Sequence, residues 1–262
     1  MMSLYLKLIS GSLRSRMQYK MNFLVSSISY GLIMAVDFVL LAAILQRFND
    51  VKGWNLYEVG LLYGISSVAI TLYRVFGVEI HNFERYMVEG DFDSLLIRPV
   101  SPLSLLLTKN LDLSRIGGTI QGILILAISI FGLNLKNFEL FLLVLYLPIS
   151  IISGVAICFS LGLLTATIAF WTQRIKDFQT FTLYAPFNAA NYPMNIYPSW
   201  LKLIFFTVIP VGFMNYTPIL FLLDKGGSLW NLALPPAVAT IFLFLALRFW
   251  QFGIRHYHST GS

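Results

Sequence analysis

A chain of 262 residues in which 57% are hydrophobic and only 11% are charged cannot build the surface of a water-soluble domain, which takes roughly 25% charged residues. The composition is that of an integral membrane protein folded as one domain over residues 1–262. The formal charge of +6 has no folded basic domain to carry it, so nucleic acid is excluded as a partner and the cations report membrane sidedness.

In chain order, residues 1–20 place Leu4, Leu6, Leu8 and Ile9 among Lys7, Arg14, Arg16 and Lys20. The basic residues follow the short apolar part, the reverse of a cleaved signal peptide, and the pattern predicts a helix lying in the membrane interface. Phe23 to Leu45 is the first apolar run of spanning length, broken only by Asp37. Leu56 to Val78 is the second, with Glu58 and Arg74 near enough to its ends to reach the interface. Residues 79–115 then form the largest polar loop.

Ile116 to Leu133 is a minimal span. Leu140 to Trp171 follows as one long helix, kinked or broken near Pro148. Phe178 to Ala190 begins another apolar run, and Pro193 and Pro198 end any helix there. Leu201 to Leu223, with Pro210 and Pro218 inside, either crosses or dips in and returns, and Leu229 to Trp250 is the last span. With a re-entrant segment there are six spans, leaving Arg47, Lys52, Lys136, Lys202 and Lys225 outside and the other thirteen of the 18 cations inside. A full crossing moves Lys225 in and Arg248 and Arg255 out, twelve against six, so the positive-inside rule favours re-entry over residues 191–228.

Catalytic spacings are missing: the chain has no H-E-x-x-H, G-x-S-x-G or G-x-x-x-x-G-K-[ST] pattern, and no catalytic or metal-ligating residue is assigned. Cys158 stands alone in an apolar run and reads as packing. His256 and His258 read as tail residues at the interface. Asp37 is the one acid deep in a span, and an isolated carboxylate there either contacts a subunit seam or a polar path, or bonds locally to Ser29, Tyr30 or a neighbouring helix. The aromatic residues Tyr192, Tyr197 and Trp200 are further candidates for the outer end of a pathway, set against an ordinary aromatic belt.

The sharpest local signal is "VEGDFDSLLIRPVSPL", residues 88–103. Glu89 opens it, Gly90 or Asp91 caps a short helix, Asp91 and Asp93 lie at its positive end, Arg98 follows its negative end, and Pro99 stops it. Phe92, Leu95 and Leu96 fall on one face at i, i+3 and i+4. So short a helix is unstable alone in water, so its apolar face must dock onto something: its own membrane domain, the lipid surface or, as the loop's excess of acids over cations favours, a separate protein.

At these residues the sequence resembles the transmembrane permease of an ABC-2-type ABC transporter, in the bacterial subfamily with a G-x-(L/F)-D-x-L-L-x-R-P loop. Gly90, Phe92, Asp93, Leu95, Leu96, Arg98 and Pro99 carry the pattern, and the Tyr192-Pro193, Tyr197-Pro198 and Trp200 region before the last span extends it. Phe92 stands where a smaller aliphatic residue is the commoner choice. The resemblance implies an all-α membrane fold of six transmembrane helices with an N-terminal interfacial helix, a cytoplasmic coupling helix and outer re-entrant helices. It implies docking of residues 89–99 on a separate ATPase subunit, two ATPase copies holding ATP and magnesium, no cofactor in this chain, and a second permease chain, identical or related. It implies export across a bacterial inner membrane, with both termini cytoplasmic. An ATP-independent transporter or channel and a membrane scaffold are the alternatives; the first would need paired intramembrane charges or repeated halves, the second no polar pathway.

Overall fold

The computed structural model describes residues 10–11, 19–48, 50 and 52–258. The interfacial helix expected over residues 1–20 lies almost wholly outside the described residues. The described elements are all helical. In chain order they are α1 (Lys20–Phe48), α2 (Leu56–Phe76), α3 (Val78–His81), α4 (Phe83–Val88), α5 (Asp93–Leu96), α6 (Pro102–Lys109), α7 (Ile116–Gly132), α8 (Asn137–Thr172), α9 (Lys176–Gln179), α10 (Ala185–Ala190), α11 (Ser199–Thr207), α12 (Tyr216–Leu222) and α13 (Trp230–Arg255). A π-helical turn, Thr180–Tyr184, joins α9 to α10.

Five of these helices, α1, α2, α7, α8 and α13, are long and apolar enough to cross a membrane. Local chemistry starts α2: the Asn55 side chain accepts from the Glu58 amide at 3.0 Å while the Glu58 carboxylate accepts from the Asn55 amide at 2.8 Å. Glu58 also pairs with Lys225 at 3.1 Å. Helix α8 passes Pro148 as a single 36-residue element, so the run is neither broken nor divided there. At 1.5 Å per residue it is roughly 54 Å long, well beyond a bilayer core of about 30 Å, and its excess becomes a support for the polar loop.

Helix α2 is the axis of the bundle, and nearly every residue from Val59 to Val75 is buried. Glycines permit this. A Cβ on Gly64 would stand 2.6 Å from Leu126 of α7, and one on Gly122 would stand 2.8 Å from Val68 of α2. Such small-residue contacts let backbones approach in membranes, where packing rather than hydrophobicity drives association. Arg74, expected to reach the interface, is instead buried, with 8% of its surface exposed.

Contacts at the helix ends sort the loops onto two faces. The Glu84 carboxylate accepts from the amides of Ile175 (2.8 Å) and Lys176 (3.2 Å), and the Gln179 side chain donates to the His81 carbonyl at 2.8 Å. The loop 79–115 and the start of α9 therefore share one face, the loop face. On the other face Lys52 donates to the Asn195 carbonyl at 3.0 Å and Lys225 to the Gly53 carbonyl at 2.5 Å.

Residues 176–195 thus carry the chain from the loop face to the opposite face through α9, the π-helical turn and α10. The next segment bends by 79° between α11 and 211–222. It starts beside Asn195 and ends beside Lys225, both bonded to the same loop, so it returns to the face it left. Non-helical backbone at this depth is tolerated only when protein covers it. Asn215 provides that cover: fully buried, its amide donates to the Leu62 carbonyl (2.9 Å), Ser66 Oγ (2.7 Å) and the Ala190 carbonyl (2.7 Å).

The closest backbone approach joins α1 to α7, where a Cβ on Gly117 would lie 1.8 Å from the Ser27 carbonyl oxygen. Gly117→Ala is expected to push the two helices apart and destabilise the chain by about 1–3 kcal/mol. A thermal unfolding midpoint in detergent equal to that of the wild-type chain would show that the contact is not needed.

Candidate functional site

The loop that carries the sequence motif is built onto the bundle by aromatic packing. Phe92 is fully buried and its ring meets those of Phe83 (5.4 Å), Phe170 (5.2 Å) and Tyr257 (5.0 Å) between centroids. Trp250 closes the group, 5.0 Å from Phe83 and 5.3 Å from Phe170. Edge-to-face rings at these spacings add about 0.5–1.5 kcal/mol per pair beyond burial. Leu95 is buried in the same cluster with Leu105, Leu106, Leu163 and Ala166.

The expectation that Phe92, Leu95 and Leu96 form one outward docking face is therefore corrected. Phe92 and Leu95 are held by α4, α6, the end of α8 and the end of α13, which a sequence scan confined to the loop does not see. Only Leu96 of the three remains open, together with Ile97, the most exposed at 85%. Arg98, Pro99, Glu89 and Asp91 also face outward. Ile97 was missed because it lies off the i, i+3, i+4 stripe; an isoleucine between Leu96 and Arg98, away from the buried face, was the available signal.

The helix itself, α5, is a single turn, Asp93–Leu96, and no side chain caps it. Gly90 acts through its backbone, at φ 72°, a left-handed turn that costs other L residues roughly 1–2 kcal/mol. Ser94 Oγ donates to the Asp91 carbonyl at 2.7 Å.

Behind the loop lies a polar hub. Glu79, 3% exposed, accepts from the Tyr86 hydroxyl at 2.6 Å, from Asn110 Nδ2 and from Arg85 at 3.5 Å. Lys109 donates to the Tyr86 hydroxyl at 2.9 Å and sits 4.7 Å from its ring centroid. Burial first, and then the Glu79 carboxylate, push the Tyr86 hydroxyl up from its ordinary range, so it stays a neutral donor. A cleft of about 340 Å³ lies between α4 and the start of α9, lined by Glu84, Arg85, Glu89 and Lys176, and one of about 220 Å³ lies beside α5, between Leu95, Arg98 and Lys109.

The other candidates divide. Asp37 and Tyr192 line one cleft of about 390 Å³, which α1 and α10 form over Tyr63 of α2, with Asn188 and Asn191 beside them. Asp37 is exposed and makes no hydrogen bond or ion pair among the described residues, so the local bond to Ser29 or Tyr30 is not formed. Tyr197 is elsewhere, its hydroxyl donating to the Ala189 carbonyl at 3.0 Å and its ring 5.6 Å from Phe205. Trp200 is 65% exposed on α11 and does not enter the cleft. Cys158 is buried against Met214, the thiol 3.9 Å from its sulfur. His256 stacks on Phe252 at 4.1 Å.

Residues 32–261 match the family described as ABC-2 family transporter protein. The chain belongs to that family. An ABC-2 permease is the membrane-spanning, non-enzymatic component of a transporter that works with ABC ATPase subunits, and the five long apolar helices make this one a multi-pass membrane protein. No curated protein matches the sequence.

Two outcomes are expected from the loop of this ABC-2 permease. Phe92→Ala should cost about 3–5 kcal/mol of stability, the range for removing a buried ring, and proteolysis should then begin within residues 83–100; a protease-resistant loop in that variant would contradict the packing. The second concerns His81, whose pKa is pushed down to about 3 by burial and then by Arg74, Arg115 and Lys176. An unfolded histidine titrates near 6.5, so between these values the unfolded chain binds more protons and stability falls as pH drops below about 6.5. His81→Gln should flatten the midpoint against pH between 6.5 and 4, and an unchanged slope would count against this origin.

Proposed function

We propose that this chain is the permease subunit of an ATP-driven exporter, moving substrate through a seam between two permease chains while two separate ATPase subunits hold ATP and magnesium. The second permease is an identical or related chain. The loop face is then the cytoplasmic side of a bacterial inner membrane, with both termini on it, which agrees with five cations on the opposite face against the larger number on this one. The re-entrant helices α11 and α12 shape the exit on the outer side.

The observation that carries this reading is the outward surface of a loop that is itself rigidly held. Val88, Leu96 and Ile97 are exposed at 60%, 40% and 85% beside Arg98, in a loop whose other side is locked onto α8 and α13 by rings. Exposed apolar groups next to a cation suit a protein groove better than water. When the ATPase pair closes, a loop held this way passes the displacement directly to the ends of two spans. Asp37 supports the seam: a carboxylate without a partner among the described residues, in the open cleft between α1 and α10, is costly in a lone chain and is relieved by a second chain or a wet path.

The test uses Ile97→Asp and Arg98→Glu in the chain co-expressed with its ATPase. Both side chains are exposed, so the permease's own thermal midpoint should hold, while co-purified ATPase falls at least about tenfold, the effect of losing a residue worth 1.4 kcal/mol or more. Full assembly with unchanged transport-coupled ATP hydrolysis in both variants would sink the proposal.

A further inference from the structure

Arg74 lies near the loop-face end of α2 in a condition few proteins tolerate. It is 8% exposed, its Nε is buried without an acceptor, and its guanidinium has no hydrogen-bond or ion-pair partner among the described residues. The Tyr184 ring lies beside it, 5.5 Å from Cζ to centroid. A guanidinium does not deprotonate in proteins, and an uncompensated buried charge costs several kcal/mol.

The acids nearby are already engaged. Asp112 accepts from Arg115 Nε at 2.9 Å, Glu84 accepts from the amides of Ile175 and Lys176, and Glu79 is held by Tyr86, Asn110 and Arg85. Arg115 is thus neutralised by its own partner, and Arg74 leaves one positive charge over. Burial first, and then the positive charge of Arg74, Arg115 and Lys176, depress the pKa of His81 beside it.

The surroundings are cationic and aromatic. Half-buried Tyr30 of α1 packs its ring under Arg115, 4.3 Å from Cζ, and Tyr184 stands opposite with its hydroxyl 3.2 Å from His81 Nε2. Tyr184 ends the π-helical turn, a local widening that recurs at functional positions. The place is the loop-face end of the α1–α10 seam, at the depth where phospholipid phosphates lie.

We propose that Arg74, with Arg115, binds the phosphate of an anionic amphiphile between the rings of Tyr30 and Tyr184. One phosphodiester supplies the single negative charge that the site lacks. The two tyrosine rings flank a glycerol or sugar-like headgroup, and acyl chains run down α1 in the bilayer. Binding needs neither ATPase nor transport, so the proposal stands or falls apart from the permease reading.

The test is lipid retention by the full chain in mixed micelles containing equal dioleoylphosphatidylglycerol and dioleoylphosphatidylcholine, read by native mass spectrometry. The wild-type chain should keep the anionic lipid about tenfold over the zwitterionic one, near 1.4 kcal/mol of preference. Arg74→Lys should keep most of that preference, Arg74→Gln should abolish it, and Arg174→Gln, at an exposed position on the loop face, should leave it intact. A parallel arm adds inorganic phosphate alone and reads the thermal midpoint; a rise that Arg74→Gln removes assigns the site to free phosphate as well. Parity of the two lipids on the wild-type chain together with no response to phosphate overturns the proposal, whatever the variants do.

Discussion

Burial of Phe92 among Phe83, Phe170, Trp250 and Tyr257 is the interaction on which the loop face depends. Those rings come from three separate stretches of chain, α4 and the ends of α8 and α13, and they convert a one-turn helix, unstable on its own, into an extension of α8 and α13. Because packed interiors move as blocks rather than deform, a push on the loop's outer surface displaces two spans. The outer surface can then be given over to Leu96, Ile97 and Arg98 without loss of folding energy.

The second constraint is the approach of α7 to α2. Gly64 and Gly122 bring these backbones together, and the remaining spans arrange themselves around that pair. Helix α1 is among the least covered: Met34, Leu41 and Leu45 pack inward, while Leu24, Ile28, Leu32, Val36 and Leu40 stay open. Helix α1 is thus covered on one side only, with Asp37 on its open cleft. The same seam carries opposite charge at its two levels, Asp37 towards the opposite face and Arg74 at the loop face.

The re-entrant segment shows how a polar residue can direct membrane topology. Asn215 would be expensive in lipid, but three acceptors on α2 and α10 meet its amide, and the peptide bonds around Pro210 are covered by the same packing. Lys52 and Lys225 then tie both ends of the segment to one loop. Charge counting alone separated the two topologies by a single cation on each side, too little to decide them.

Membrane class, the long apolar helices, the polar loop and the motif at residues 90–99 were all legible from composition, run length and spacing, because each is a property of consecutive residues. Where the apolar face of that motif points was not legible, since its partners lie about 80 and 160 residues further along the chain, at Phe170 and Trp250. Arg74 shows the same limit. Four residues from a span end it reads as a cation that reaches the interface, and only the arrival of Tyr184 and Arg115 beside it decides that it is buried. Which segments avoid water follows from composition and run length; which polar and aromatic groups meet follows from helix rotation and long-range closure, which local pattern does not encode.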